Sequence, residues 1–417
     1  MTGETLIGPG FPVDEVRERA RRGAEAIFPA PGGSTGAAYG NAVFGQVAAS
    51  EPVDGLDVAR IAQPVLMPGR LERLLELGRE PAFPDVELGG PLGGFRSPLP
   101  VYVSAMGSTS VAQSDVGSRM AVQAARAGLP LVLGENIRSV FGYDRRADPL
   151  LPSFKERAMA YVEAATGGEG GLVVQQSTED ANAELWNEVY SDPDFHALLR
   201  RGLLGFELKL GQGAKGATGG MTLVDRETAE RLGTAYRLES LDGARWLRSS
   251  APGTFTEDIL RSQVRLMRNN YPGVRVWAKL PPGRDVRVAA EAAWSGGADA
   301  VAVDGACGGT GLTATVLLQH LGLPLDECLR RFDGHRGELL VSGRMWEGGR
   351  AVKALALGAS GIGLGRAAII AASEDAEMGL VRLVEALAME MRLLISACGK
   401  YRPAHLGPED VWFGGGR

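Results

Sequence analysis

Lys209 and Lys279 each fall at the end of a short apolar run, and Lys215 follows the first of them across a glycine-rich turn, Leu210-Gly-Gln212-Gly-Ala-Lys215. An ammonium in an apolar strand is costly to bury unless something pairs with it. Two lysines around such a turn suit an anionic substrate such as a carboxylate. Lys215 also reads as an ordinary solvated loop lysine, and Lys279 as a strand-end lysine reaching to water.

Two glycine-marked strand ends lie towards the C-terminus: Val341-Ser342-Gly343-Arg344 and Gly361-Ile-Gly363-Leu-Gly365-Arg366. Gly343 and Gly363 are 20 residues apart, about one strand-plus-helix unit. Glycine lets backbone amides approach an anion closely, a following helix N-terminus favours negative charge, and Arg344 and Arg366 add fixed positive charge. This pattern predicts a phosphorylated cofactor or substrate. Other strand ends carry Ser104-Ala105-Met106-Gly107, Glu135, Gln175 and Asp304-Gly-Ala-Cys307-Gly308-Gly309. Small residues there suit the approach of a flat ring, and Lys279 suits the polar edge of a flavin. Cys307 reads either as a reactive thiol or as a small packing residue, the second being the commoner role.

The composition excludes several classes. A net charge of −6 with no extended basic block argues against a nucleic-acid surface. The three cysteines are far apart and form no zinc pattern. No apolar run is long enough for a membrane helix, and the N-terminal residues lack a secretory pattern, so a cytoplasmic protein is expected.

The lysines, amides and glycines must be positioned by the elements before them. From residue 98 onward short apolar runs alternate with amphipathic stretches. Eight strands are predicted: Leu99–Ser104, Leu129–Leu133, Gly171–Gln175, Leu203–Leu210, Arg275–Leu280, Ala300–Asp304, Glu338–Ser342 and Gly361–Leu364. Intervening helices are predicted over Ser114–Ala127, Thr256–Asn269, Arg284–Ser295 and Gly348–Leu357. Eight buried strands with helical crossovers imply an α/β fold, a (β/α)8 TIM barrel, in preference to an open doubly wound sheet, because the paired late glycine loops fit the phosphate end of such a barrel. Residues 1–95 read as an N-terminal extension packed on the barrel, with one helix near 70–78 stopped by Gly78. Residues 96–400 read as the barrel and 401–417 as a C-terminal tail. The long interruption at 211–255 falls where a substrate lid is expected.

In this order the strand ends resemble those of the FMN-binding synthase domain of the glutamate synthase family, which includes the flavin subunit of N-methylglutamate synthase. The resemblance spans about residues 85–400. It rests on Lys209-Leu-Gly-Gln-Gly-Ala-Lys215 with Gly219-Gly220, on Ser104-Ala-Met-Gly-Ser, Lys279-Leu and Gly308-Gly-Thr-Gly311, and on Gly343 with Gly363-Leu-Gly365. It implies FMN as cofactor. Ser342, Gly343, Arg344, Gly363, Gly365 and Arg366 would surround its phosphate. Ser104, Ala105, Met106 and Gly107 would line the ring or ribityl chain, with Gln175, Gly308, Gly309 and Lys279 close by. Lys209, Gln212 and Lys215 would meet the substrate.

The chain also departs from the family. Residues Ala367–Met378 hold no cysteine where relatives carry an iron–sulfur motif, so no cluster and no metal is expected. No N-terminal amidotransferase is expected either. Where the family has His-Asp in the late glycine loop, this chain has Ala306-Cys307.

The expected function is an FMN-dependent oxidoreductase acting on the C–N bond of an amino or imino acid. Lys209 and Lys215 would hold a carboxylate, and Glu135 or Gln175 would orient the amine. NAD(P)H or a partner subunit would serve as electron or amine source, and a homo-oligomer is expected. The alternatives are FMN-dependent amine transfer or isomerisation without net redox, and a flavin-binding subunit of a complex. A 2-hydroxy-acid oxidase is disfavoured, because it needs a histidine base and none of His196, His320, His335 and His405 falls at a predicted strand end.

Overall fold

The computed structural model describes residues 10–28, 53–106, 115–134, 154–176, 184–215, 221–233, 237–249, 253–308 and 313–414. Eight parallel strands close into a barrel: β1 Val101–Met106, β2 Pro130–Leu133, β3 Gly171–Gln176, β4 Leu204–Lys209, β5 Arg275–Leu280, β6 Ala300–Asp304, β7 Glu338–Ser342 and β8 Gly361–Leu364. Each pairs with its neighbours in chain order, and β8 pairs with β1 to close the ring. Strands such as Pro-Leu-Val-Leu in β2 and Ala-Val-Ala-Val-Asp in β6 are buried along their whole length. That is the expected state of a parallel strand covered on both faces, and it explains runs of apolar residues without alternation.

The N-terminal end of the barrel is plugged by a hairpin of Gly90–Leu92 with Phe95–Ser97. Its two-residue turn is Gly93-Gly94, with φ of +61° and +82°, a backbone that glycine adopts without strain. The Gly93 carbonyl accepts the Trp277 indole N–H at 2.7 Å. Trp277 is fully buried and meets Tyr102 and Phe95 edge-on, with ring centroids 5.7 and 5.9 Å away.

The N-terminal residues pack on the last helices. Helix α1, Val13–Arg22, buries Val13, Val16 and Ala20 against the late helices. Arg19 pairs with Glu390 at 2.6 Å. Helix α2, Pro68–Leu77, matches the predicted helix near 70–78 and ends at Gly78 in the left-handed conformation, φ +64°. Three further helices are used below: α3, Gly348–Ala356; α4, Arg366–Glu374; and α5, Gly379–Ala397. Arg60–Ile61 pairs antiparallel with Val411–Trp412, and the Ala62 N–H donates to the Asp410 carbonyl at 2.8 Å.

The insertion after β4 folds into a three-stranded antiparallel sheet. Arg245–Ser249 lies between Met221–Asp225 and Arg237–Ser240. Residues Asp242-Gly243 turn the last two strands, and Asp242 is held by Arg245 at 2.6 Å. The predicted long loop therefore contains a small folded unit of its own.

Candidate active site

The ladder of the barrel places the polar side chains in register. Gln175 pairs with Glu207, and Glu207 with Trp277. Two residues further along, Lys209 pairs with Lys279. Paired positions in a parallel ladder share a face, and all five side chains are buried. They therefore point into the barrel, with the two lysines nearest its C-terminal mouth, where catalytic groups sit in this fold.

Two sets of polar contacts lie along these inward faces. Lys279 Nζ lies 3.1 Å from Asp304 Oδ2. Ser342 Oγ donates to Asp304 Oδ1, and the Gln175 amide donates to Glu207 Oε2. Burial pulls the Lys279 ammonium down, but Asp304 and Glu207 more than reverse this and leave its pKa raised. Burial pushes the Glu207 carboxyl up to about 7 against the pull of Lys279 and Gln175. Burial, then the charges of Lys215 and Lys279, hold Lys209 well below the usual lysine range. The Tyr102 phenol is raised by burial and by the Asp304 and Glu207 carboxylates.

The sign of the Glu207 shift makes a prediction. In the folded state its pKa lies near 7, against an ordinary 4.5. Its ionisation therefore opposes folding. In the cofactor-free protein this contribution is absent below about pH 4.5, grows as pH rises to 7, and levels off on the order of 3 kcal/mol. Urea unfolding of the wild type against Glu207→Gln across that range measures it. A difference between the two that stays flat with pH rules the effect out.

The predicted substrate residues converge here. Gln212 is buried in the turn after β4, and its carbonyl accepts the Lys215 N–H at 3.0 Å. Lys215 is close enough to depress Lys209. Gly211 abuts Pro281, where a Cβ would come within 2.9 Å of the ring. Three expected residues, Gly107, Glu135 and Gly309, lie outside the described residues.

The expected phosphate end is built differently from a plain glycine cradle. Gly343 has φ +116° and packs on Gly305, where a Cβ would meet the Gly305 nitrogen at 3.2 Å. Arg344, at φ 57°, is the second of two consecutive left-handed residues. Its Nε donates to Asp57 Oδ2 at 3.1 Å, whereas its Nη2 is buried with no partner among the described residues. Arg350 of α3, fully buried, donates to Asp57 at 2.8 Å, to Asp54, and to the Gly343 carbonyl at 3.3 Å. Arg366 is the first residue of α4 and lies over the Phe11 ring at 4.9 Å. Burial, then the Arg344 charge, lowers its pKa.

Two of the predicted glycines have packing reasons of their own. A Cβ on Gly363 would come within 2.6 Å of the Tyr102 ring, and one on Gly308 within 2.5 Å of Asp304 Cβ. Gly365 is more open, with Ser104 Oγ at 3.5 Å. The Ser104 hydroxyl is itself used by the Leu364 carbonyl at 3.2 Å. There the β1–β2 register slips between Val103 and Met106, so Ser104 and Ala105 lie on a bulge, and Met106 pairs again with Leu133.

Residues 158–376 match the conserved region in glutamate synthase. This chain belongs to the glutamate synthase family. Among curated relatives, a glutamate synthase large subunit-like protein of Rhizobium meliloti is 30% identical over 180 residues, 40% of each chain. The archaeal glutamate synthase [NADPH] of Methanocaldococcus jannaschii is 31% identical over 176 residues, 40% of this chain and 34% of that one. The matched segment thus spans only 34–40% of these relatives' length. In fold, the chain is similar to a soluble mutant of (S)-mandelate dehydrogenase from Pseudomonas putida, with a TM-score of 0.57 at 16% identity, covering 97% of this chain and 100% of that one.

The residues of this glutamate synthase family chain fit the FMN that its motifs imply. The unpartnered Arg344 Nη2, the neighbouring Arg366 and the N-terminus of α4 form an electropositive end that an anion would satisfy. Gln175 Oε1, buried and without a partner among the described residues, is a free acceptor inside the barrel. Sequence reasoning missed Glu207, Tyr102, Arg350, Asp54 and Asp57, and quoted Asp304 only as a strand end. Glu207 had a local signal, since it stands two residues before Lys209 on the same strand and must share its face. Among the described residues no three metal-ligating side chains cluster, and no helix is long and apolar enough to cross a membrane.

Proposed function

We propose that this chain is an FMN-dependent oxidoreductase acting on the C–N bond of an amino or imino acid. The observation that carries this reading is the buried set Lys209, Lys279, Asp304 and Glu207 at the mouth of a glutamate synthase family barrel. FMN supplies a centre that exchanges a hydride with carbon. Arg344, Arg366 and the first turn of α4 hold its phosphate. Ser104, Ala105 and Met106 would line its approach, with Gln175 Oε1 available as an acceptor. Lys279, fixed by Asp304, would supply positive charge to the flavin. Lys215 and Lys209 receive the substrate carboxylate. Gln212 orders the turn that carries Lys215.

We further propose NAD(P)H or a partner subunit as the electron source and a homo-oligomeric assembly. Residues 96–400 form the catalytic unit, and residues 1–95 are an extension that shapes it. Anaerobic visible spectra test the function. The FMN-loaded protein is expected to lose its flavin absorbance on adding an amino acid, or on adding NAD(P)H with recovery by an imino or keto acid. A loaded protein that none of these changes overturns the reading.

A further inference from the structure

The mechanism above gives residues 10–22 no named role, yet they meet both arginines assigned to the phosphate. Gly10 takes φ +72°, and a Cβ built on it would lie 3.9 Å from Arg344 Nη1. Phe11 follows, and the Arg366 guanidinium carbon lies 4.9 Å from the centroid of its ring. The Arg366 side chain makes no hydrogen bond or ion pair among the described residues, so the ring is the contact that fixes it. The ring is itself held in place. The Phe11 carbonyl accepts the Val13 N–H at 2.9 Å as α1 begins, and the side chain packs, partly buried, against the core. Helix α1 is tied to the far end of α4, where Arg17 and Arg21 meet Glu374 at 3.5 and 2.6 Å. With Phe11 at Arg366 and Arg21 at Glu374, the two helices run side by side in the same direction. Both therefore begin at the phosphate end.

The type of partner matters. A carboxylate would neutralise Arg366 and occupy its donors. An aromatic face attracts the cation through its quadrupole and takes none of the five N–H groups, which lie in the guanidinium plane. Arg344 is set differently, by Asp57 at its Nε, and keeps its Nη2 unused. The two cations repel each other, and each is fixed by a contact that leaves donors free for a shared anion.

We propose that Phe11, carried by the N-terminal extension, is the positioning residue for Arg366, its ring holding the guanidinium in the orientation that meets the FMN phosphate. This rests on the phosphate placement given under the proposed function. The consequence is selectivity between flavins. Phe11 acts through Arg366 on the phosphate, so it strengthens the binding of FMN and does nothing for riboflavin, which has the same ring and ribityl chain without the phosphate.

Fluorescence titration of the full chain, freed of cofactor, with FMN and with riboflavin tests it. Phe11→Leu keeps an apolar side chain and removes the ring. It is expected to raise the Kd for FMN about fivefold, the worth of a partly exposed cation–π contact, and to leave the Kd for riboflavin unchanged. Phe11→Tyr is expected to bind FMN as the wild type does. In an Arg366→Met background, Phe11→Leu is expected to have no further effect, since the contact is already gone. An FMN Kd that Phe11→Leu does not move overturns the proposal. So does an equal loss of riboflavin binding, which marks a general loosening of the site. A loss that Phe11→Tyr shares, or one that persists on top of Arg366→Met, overturns it as well. In each of these cases a wild type that still prefers FMN to riboflavin leaves the phosphate placement standing. A wild type that binds the two flavins equally overturns that placement, and the role of Phe11 with it.

Discussion

Lys279→Met is expected to slow substrate-dependent flavin reduction by about 10²–10³-fold, the usual cost of removing one preorganised electrostatic group from a water-excluded site. The same change is expected to destabilise the fold by about 3–5 kcal/mol, because it leaves a buried charge without its partner. Both partners are buried, with the Lys279 and Asp304 side chains 4% and 5% exposed, so the Asp304 carboxylate could not be rescued by water. Methionine keeps the aliphatic stem and removes only the ammonium. The double variant Lys279→Met/Asp304→Asn separates the two effects. It is expected to recover most of the stability, since a buried ion pair replaced as a pair costs little, and none of the rate. Stopped-flow reduction and urea unfolding of both proteins measure this. A rate that survives in either variant would place the cation outside the reaction site.

Arg350→Met is expected to be as damaging to stability, again by about 3–5 kcal/mol, and in addition to weaken FMN binding at least tenfold, about 1.4 kcal/mol. Arg350 has no solvent exposure, while the Asp54 and Asp57 side chains are 2% and 11% exposed. Removing the guanidinium strands the Asp54 carboxylate, leaves Asp57 with Arg344 as its cation, and releases the Gly343 carbonyl. The effect on FMN follows because Asp57 also orients Arg344 and because the left-handed backbone at 343–344 is anchored by that carbonyl. Fluorescence titration with FMN reads the affinity.

The pH dependence of the same variant has a defined sign. Burial raises the Asp54 carboxyl, but Arg350 and the Asp57 and Leu56 amides overcome this, leaving its pKa below the ordinary 3.8. In the wild type the group contributes stability above that value, which is lost as pH falls through its folded pKa. Without Arg350 burial dominates, so the variant is expected to gain stability in mild acid relative to neutral pH. A variant that loses stability in parallel with the wild type as the acid strengthens would show that Arg350 does not hold Asp54 ionised.

Much of the architecture was legible because the barrel's strands are buried on both faces. Strands β5 to β8 coincide residue for residue with the apolar runs read from the sequence. The lysine pair was legible for the same reason, since a charge inside an apolar run stands out. Helix α1 was not, because only three of its ten residues, Val13, Val16 and Ala20, are buried and the rest are mostly charged. The Gly93-Gly94 turn between Leu92 and Phe95 carried a hairpin signature that went unread. The Asp54–Arg350 and Asp57–Arg350 pairs had no local signature at all. Their members stand 296 and 293 residues apart, and only the closed barrel brings them together. Glycine motifs were legible as motifs but not as causes: Gly363 and Gly308 are small because Tyr102 and Asp304 occupy the space beside them.

The pairing of Arg60–Ile61 with Val411–Trp412 bears on the order in which the molecule assembles. This two-residue ribbon joins segments on either side of all eight barrel strands. Contacts so distant along the chain gain little until the intervening residues are already compact, because closing a long loop costs entropy before any contact offsets it. The ribbon therefore forms at the end of folding and opens at its reversal. During synthesis the early segment must wait, unpaired, for Val411 and Trp412, which lie beyond the last barrel strand, to emerge. The amide of Ala62, which completes the ribbon, is a natural reporter for the moment at which the whole chain has closed.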